Sequence, residues 1–208
     1  MGIEREIKLA LPSDQVDAAL RLFGTRAGAP GRAIRLENVY FDTPALALAR
    51  AKSALRLRRT PEGWLQTFKT AGGAQNGLHA RHEWEMPVAG EALEIDRLLH
   101  ECDEAGVSTA LSEAAADLIP LFRTDFTRTL WTLEVDGAQV EAAIDQGEIT
   151  ADVNGQTRRT PICEIELELK AGDEAALHTL AAELATALPG LAPDDISKAQ
   201  RGYKLREG

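Results

Sequence analysis

Several short stretches of this chain alternate charged and apolar residues with a period of two, and the charges are of both signs. In Ile3-Glu4-Arg5-Glu6-Ile7-Lys8-Leu9, one face shows Glu4, Glu6 and Lys8 and the other Ile3, Ile7 and Leu9 with Arg5 among them. Leu55-Arg56-Leu57-Arg58 sets two guanidiniums against two leucines, and Ile162 to Leu169 aligns Glu164, Glu166 and Glu168 against Ile165, Leu167 and Leu169. Glu83 and Glu85 flank Trp84 in the same way. Side chains of a strand point alternately to opposite faces, so each stretch is a strand with one charged and one apolar face. A single such strand is most simply a sheet with one wet face. Four of them, together with amphipathic helices that need an apolar surface, favour another arrangement: the helices cover the apolar faces and the charged faces meet one another.

The helical stretches are separate from these strands. Val16, Ala19, Leu20 and Phe23 recur at helical spacing, with Ser13 to cap and Gly24 to stop, which predicts a helix over Pro12–Phe23. Helical patterns also cover Ala92–Ala105, Thr109–Ile119 and Asp173–Leu188, and a helical turn follows Pro44. Further strands are predicted at Arg35–Asp42, Ala54–Arg59, Trp64–Thr70, His82–Val88, Phe122–Trp131, Thr132–Asp136, Gln139–Asp145, Glu148–Val153 and Ile162–Lys170, with Asp136-Gly137 and Asn154-Gly155 as hairpin turns. Trp64, Trp84 and Trp131 alternate with the charged positions and are expected on the outer side, under helices.

The charged faces suggest a chemistry. Carboxylates two apart on a strand lie roughly 6.5–7 Å from one another, and a neighbouring strand is about 4.8 Å away, so acids from two strands can converge on one cation. Oxygen-only ligation favours a hard ion, Mg²⁺ or Mn²⁺. The Arg and Lys positions suit an oligophosphate, because a guanidinium pairs with phosphate oxygens in bidentate fashion and an ammonium adds a point charge. The expected inward acids are Glu4, Glu6, Glu83, Glu85, Asp145, Glu164, Glu166 and Glu168; the expected inward bases are Lys8, Arg56, Arg58, Lys69, Arg123, Arg128 and Lys198. Arg123 and Arg128 differ by an odd number, so both face inward only across a bulge.

Composition excludes several alternatives. The 208 residues carry 23 Lys+Arg against 33 Asp+Glu, a formal charge of −10, which argues against a nucleic-acid binder. Cys102 and Cys163 lack metal-ligand spacing, and their scarcity suits a reducing compartment, the cytoplasm. No apolar run approaches the roughly 20 residues of a membrane span. No P-loop or Gly-x-Ser-x-Gly motif is present. His79 and His82 have no third ligand at metal spacing and are expected on the surface or in a loop, and Asp42 before Thr43-Pro44 is expected to initiate a turn.

Glu4-x-Glu6-x-Lys8 near the N-terminus resembles the signature of the CYTH domains, or triphosphate tunnel metalloenzymes. The likeness continues in order through Tyr40-Phe41-Asp42-Thr43-Pro44, Leu55-Arg56-Leu57-Arg58, the Lys69 strand, Arg81-x-Glu83-x-Glu85, Ile144-Asp145-Gln146-Gly147-Glu148, Glu164-x-Glu166-x-Glu168 and Ser197-Lys198-x-x-Arg201-Gly202-Tyr203. The resemblance implies an α+β fold: a closed tunnel of eight antiparallel strands with helices packed outside, using Mg²⁺ or Mn²⁺ on triphosphate compounds. Carried over, Glu4, Glu6 and Glu166 would hold a metal; Asp145 and Glu164, with Glu85, would place a second metal or the attacking water. Lys8, Arg56, Arg58, Lys69, Arg123, Arg128 and Lys198 would grip the phosphates. Residues 1–208 are expected to be one such domain, most similar to bacterial inorganic triphosphatases, which commonly continue into a helical CHAD domain missing here. The expected activity is hydrolysis of tripolyphosphate. Class IV adenylyl cyclase, thiamine triphosphatase and a non-catalytic polyphosphate- or nucleotide-binding module are the alternatives.

Overall fold

The computed structural model describes residues 2–70, 72–102 and 105–207. Among the described residues ten strands run in chain order: β1 (Gly2–Ala10), β2 (Arg32–Asp42), β3 (Ser53–Thr60), β4 (Gly63–Thr70), β5 (Gly73–Gln75), β6 (Leu78–Val88), β7 (Ile119–Val135), β8 (Ala138–Val153), β9 (Gln156–Ala171) and β10 (Ala192–Pro193). Eight pair in the order β1-β9-β8-β7-β2-β3-β4-β6, and β6 returns to β1 through pairs from Gly2↔Glu83 to Ile7↔Leu78. The result is a closed antiparallel barrel of eight strands, as the resemblance implies, with the charged faces of the alternating strands meeting inside. Closure leaves no long free edge and gives every strand an inside and an outside. In this ring β3 stands opposite β9.

Helices α1 (Val16–Ala27) and α5 (Ala175–Ala187) lie on the outer faces of β1, β7, β8 and β9. They bury Phe23, Leu177, Leu180 and Leu184 against Ile7, Leu9, Trp131, Leu133, Ile144, Ile165 and Leu167. Helices α2 (Ala47–Arg50), α3 (Ile95–Glu101) and α4 (Ala105–Ala114) enclose a second outer core of Leu55, Phe68 and Trp84 with Leu48, Leu98 and Leu111. Burying side chains of this size contributes about 1.5–3 kcal/mol each, and it lies wholly outside the barrel wall. Trp84 and Trp131 therefore face outward, as the alternation requires.

A third apolar cluster lies inside. Beyond the barrel proper, β7, β8 and β9 extend as a wing whose inner face carries Phe122, Phe126, Ile149, Ala151 and Ile162. Helix α6 (Lys198–Glu207) packs on that face through Ala199, Tyr203 and Leu205. It closes one end of the tunnel.

Several boundaries differ from expectation. Gly24 does not stop the first helix, which runs on to Ala27 and ends at Gly28 with φ 66°. A left-handed residue closes a helix by satisfying late carbonyls, and the Gly28 amide donates to the Thr25 carbonyl. The segments 122–131 and 132–136 are one strand, as are 139–145 and 148–153. Gly147, which lies in the gap between those two expected strands, sits within β8; a Cβ there would come 2.2 Å from the Asp125 carbonyl oxygen. This glycine permits close strand approach, not a turn. Asp136-Gly137 and Asn154-Gly155 do form the hairpin turns, each pair with positive φ.

Candidate active site

The inner faces line a cavity of about 1070 Å³. Glu4, Glu6, Lys8, Arg56, Arg58, Lys69, Glu83, Glu85, Arg128, Glu166, Glu168 and Lys198 all border it. Asp145 and Glu164 lie deeper, 0% and 1% exposed.

On the wall of β8 and β9, in-register pairing sets Asp145 against Glu164. Oxygens of Asp145, Glu164 and Glu166 come within 4.8 Å of one another, a group able to hold a metal ion. Three carboxylates this close, two of them buried and one half-buried, call for cations. Lys198, the first residue of α6, places Nζ 2.6 Å from Asp145 Oδ2 and 2.8 Å from Glu166 Oε1, and also donates to Glu164. Arg128 on β7 donates from Nε and a terminal nitrogen to the two Asp145 oxygens at 2.7 and 2.6 Å and also reaches Glu166. Arg201 donates to Glu164. Burial alone would raise the Glu166 carboxyl, but Lys198 and Arg128 outweigh it and hold it well below the usual range. Burial dominates at Glu164, whose carboxyl stays raised despite Lys198.

Glu4 and Glu6 on β1 form an adjoining pair. Lys69 Nζ lies 2.9 Å from Glu4 Oε2, and Arg81 donates to the same oxygen at 2.9 Å and to Glu6. For Glu4, Lys69 and Arg81 overcome the upward push of burial and hold the carboxyl well below its ordinary value. Glu6 is the reverse case: burial, then Glu166, then Glu4 push it up to about 7, with Arg81 only partly offsetting them. Two neighbours on one strand are thus driven apart in acidity by their surroundings.

The wall of β3 is different. Arg56 and Arg58 share its inner face, and their acidic partners stand back: Arg56 is 3.6 Å from Glu83 and 3.4 Å from Glu85, and Arg58 is 4.0 Å from Glu85. The buried Nε of Arg56 has no hydrogen-bond partner. Burial, Arg56 and Arg128 lower Arg58 to about 10. Asn38 fixes it: the Asn38 amide donates to the Thr124 carbonyl at 2.7 Å, which turns its own oxygen to accept from Arg58 Nε at 2.7 Å. Two guanidiniums with spare donors facing a cavity form an anion-receptive surface.

The structure thus brings together every expected inward residue except Arg123. The register of β7 against β8 is regular from Arg123↔Thr150 to Arg128↔Asp145, so the odd spacing puts Arg123 on the outer face, where it is exposed and pairs with Asp125 at 3.0 Å. Glu85 borders the tunnel but stands apart from the carboxylate group, accepting from Thr67 Oγ1 at 2.8 Å and facing the arginines. His79 is not at the surface: it lies inward on β6, 5% exposed, with Nε2 3.0 Å from the Asp194 carbonyl oxygen. Asp42 does initiate the turn into α2, accepting from the Thr43, Leu48 and Ala49 amides, and from the Tyr203 hydroxyl at 3.0 Å. Arg81 was absent from the expected inward bases, although its period-two spacing with Glu83 and Glu85 carries the signal.

The sequence matches the CYTH domain family over residues 2–203. The chain belongs to the CYTH family. Among curated proteins it is 35% identical over 173 residues to an inorganic triphosphatase of Haemophilus influenzae, an alignment covering 82% of this chain and 46% of that protein. The chain thus spans about half the length of that curated relative. Among solved structures, a putative adenylyl cyclase from Hippeastrum, described as having a dominant triphosphatase activity, superposes with a TM-score of 0.61 at 20% identity, covering 98% of this chain and 96% of the other. A putative adenylate cyclase from Bacillus halodurans superposes with a TM-score of 0.57 at 19% identity, covering 96% of each chain. These likenesses support the fold. Among the described residues no helix is long and apolar enough to cross a membrane.

Proposed function

We propose that this CYTH chain hydrolyses inorganic triphosphate to pyrophosphate and phosphate with Mg²⁺ or Mn²⁺ as cofactor. The observation that carries the reading is the opposition of Arg56 and Arg58 on β3 to the carboxylate group of β8 and β9 across one cavity. The all-oxygen carboxylate set fits a hard divalent ion, with Glu4, Glu6 and Glu166 as its holders. Bound there, such an ion supplies Lewis-acid polarisation of the phosphoryl oxygens and charge neutralisation.

The protein's own residues do the rest by positioning and electrostatics. Arg56, Arg58, Lys69 and Arg128 bind phosphate oxygens, and Lys8 and Lys198 extend that grip toward α6. Asp145 and Glu164 place a second ion or orient the attacking water in line with the terminal phosphorus, and burial raises the Glu164 carboxyl, the direction that favours accepting a proton from that water. The terminal P–O bond breaks, pyrophosphate leaves against the arginines, and no covalent intermediate forms.

The test is phosphate release from tripolyphosphate, with ATP and pyrophosphate in parallel, under Mg²⁺, Mn²⁺ and chelator. Metal-dependent cleavage of tripolyphosphate in preference to ATP, lost in Glu4→Gln, is the expected result. Binding without cleavage would make the chain a polyphosphate-binding module, and cyclic AMP from ATP would make it a cyclase.

A further inference from the structure

The carboxylate group of Asp145, Glu164 and Glu166 already contains a cation supplied by the chain itself. Lys198 Nζ contacts all three, and its ammonium stands 4.9 Å from the Phe126 ring centroid, which favours a cation from a fourth side. With Lys198, Arg128 and Arg201 as partners, three negative charges meet three positive ones and the site is formally neutral. We propose that Lys198 is a tethered counter-cation that fills this cage at rest, and that a divalent ion binds there only as the ammonium withdraws into the tunnel.

This inference rests on the metal-dependent reading above. A small divalent ion needs carboxylate oxygens at about 2.0–2.2 Å, and the ammonium holds the same oxygens. Both cations cannot share them, and a divalent ion added to a neutral cage that kept its lysine would create a buried excess of positive charge. Of the three resident cations, Lys198 is the one built to leave. Both border the cavity, but Arg128 is a rigid fork engaged on both oxygens of Asp145, whereas Lys198 carries its charge on a flexible four-carbon stem. Its helix need not move with it. Gly202 lies flush on the Phe122 ring, where a Cβ would come within 2.1 Å, and Tyr203 donates to Asp42. The change is therefore a side-chain exchange: the metal enters the cage as the ammonium turns toward the phosphates. By reciprocity of coupled binding, whatever weakens the Lys198 seat strengthens the metal, and the reverse.

The test uses the intact protein. Mn²⁺ binding is measured by calorimetry for the wild type, Lys198→Met and, as a charge control at the tunnel mouth, Lys204→Met. Separately, side-chain ammonium signals of wild-type protein are followed by ¹H–¹⁵N NMR from EDTA into Mg²⁺, with Lys198→Arg identifying the Lys198 signal. The expected result is about tenfold tighter Mn²⁺ binding, or one additional ion, in Lys198→Met only, and a slowly exchanging Lys198 ammonium signal that disappears or shifts as Mg²⁺ saturates. Wild-type affinity and count in Lys198→Met, with a Lys198 signal indifferent to Mg²⁺, would overturn the exchange while leaving the triphosphatase reading intact. No Mn²⁺ or Mg²⁺ binding by any of the proteins would overturn both. If Lys198→Met does not fold, the wild-type titration alone decides.

Discussion

The two walls of the tunnel solve the problem of buried charge in opposite ways. On β8 and β9, acids meet their cations at 2.6–2.8 Å, and those cations come from β7 and α6. On β3, two arginines stand 3.4–4.0 Å from acids that are also engaged elsewhere: Glu83 with Lys69 at 2.7 Å and Glu85 with Thr67. The first wall is internally neutralised and the second retains unspent donors. Buried ion pairs of the first kind hold structure together only while complete, because losing one partner strands the other. Donors of the second kind cost little to remove and are positioned for something that arrives from outside. The acid wall should therefore respond to mutation in stability, and the arginine wall in activity.

The largest expected effect is on stability. Asp145→Asn leaves Arg128 and Lys198 undercompensated around a fully buried carboxylate position, and should lower unfolding free energy in EDTA by about 3–5 kcal/mol. A urea midpoint close to wild type would erase the distinction between the walls. Arg56→Ala is the mirror experiment. It should slow tripolyphosphate cleavage about 10²- to 10³-fold while leaving the urea midpoint nearly in place. Equal losses in both assays would show that the arginine wall is structural as well.

The pH dependence of stability sharpens the contrast. Glu6, at about 7 in the folded protein against 4.5 as its ordinary value, binds more protons folded than unfolded between those limits. Its contribution is fully present below pH 4.5 and is lost as pH rises through 7, a difference of roughly 3 kcal/mol. Glu4 and Glu166 act in the other window: their lowered carboxyls contribute stability above pH 4.5 that is lost as pH falls below it. Urea titrations in EDTA at pH 5 and 8 should show the decline, and Glu6→Gln should flatten it. The smallest effect belongs to Arg123→Ala on the outer face, within about 0.5 kcal/mol in stability and without change in cleavage rate. A clear loss of activity there would contradict the placement of this residue outside the tunnel.

These walls were partly legible in the sequence. Period-two alternation identifies which residues of β1, β3, β6 and β9 share a face, because a strand leaves its side chains only two directions. It also shows why Arg123 fails, since only a bulge could bring it round and β7 has none between Arg123 and Arg128. What alternation cannot show is pairing across the interior. That Lys198 answers Asp145, and Arg81 answers Glu4, depends on barrel closure and on a helix seated within one end, both tertiary. The extent of β8 was obscured for a related reason: Gly147 looks like punctuation along the chain, yet the space it leaves is occupied by the Asp125 carbonyl of the neighbouring strand.

Asp42 has a consequence for the order of assembly. Its carboxylate gathers the amides of Thr43, Leu48 and Ala49 and then the hydroxyl of Tyr203, far along the chain. Barrel closure is similarly remote, with Glu6 facing Glu168 across β1 and β9. Contacts of such sequence separation form slowly, since loop entropy must be overcome before they repay it. As the chain emerges from the ribosome, the turn at Asp42 is complete long before its last donor exists. The acids of β8 and β9 likewise precede Lys198 and Arg201. The growing polypeptide thus carries a half-filled lock at Asp42 and an unbalanced nest of carboxylates, and both are completed by the same ten-residue helix.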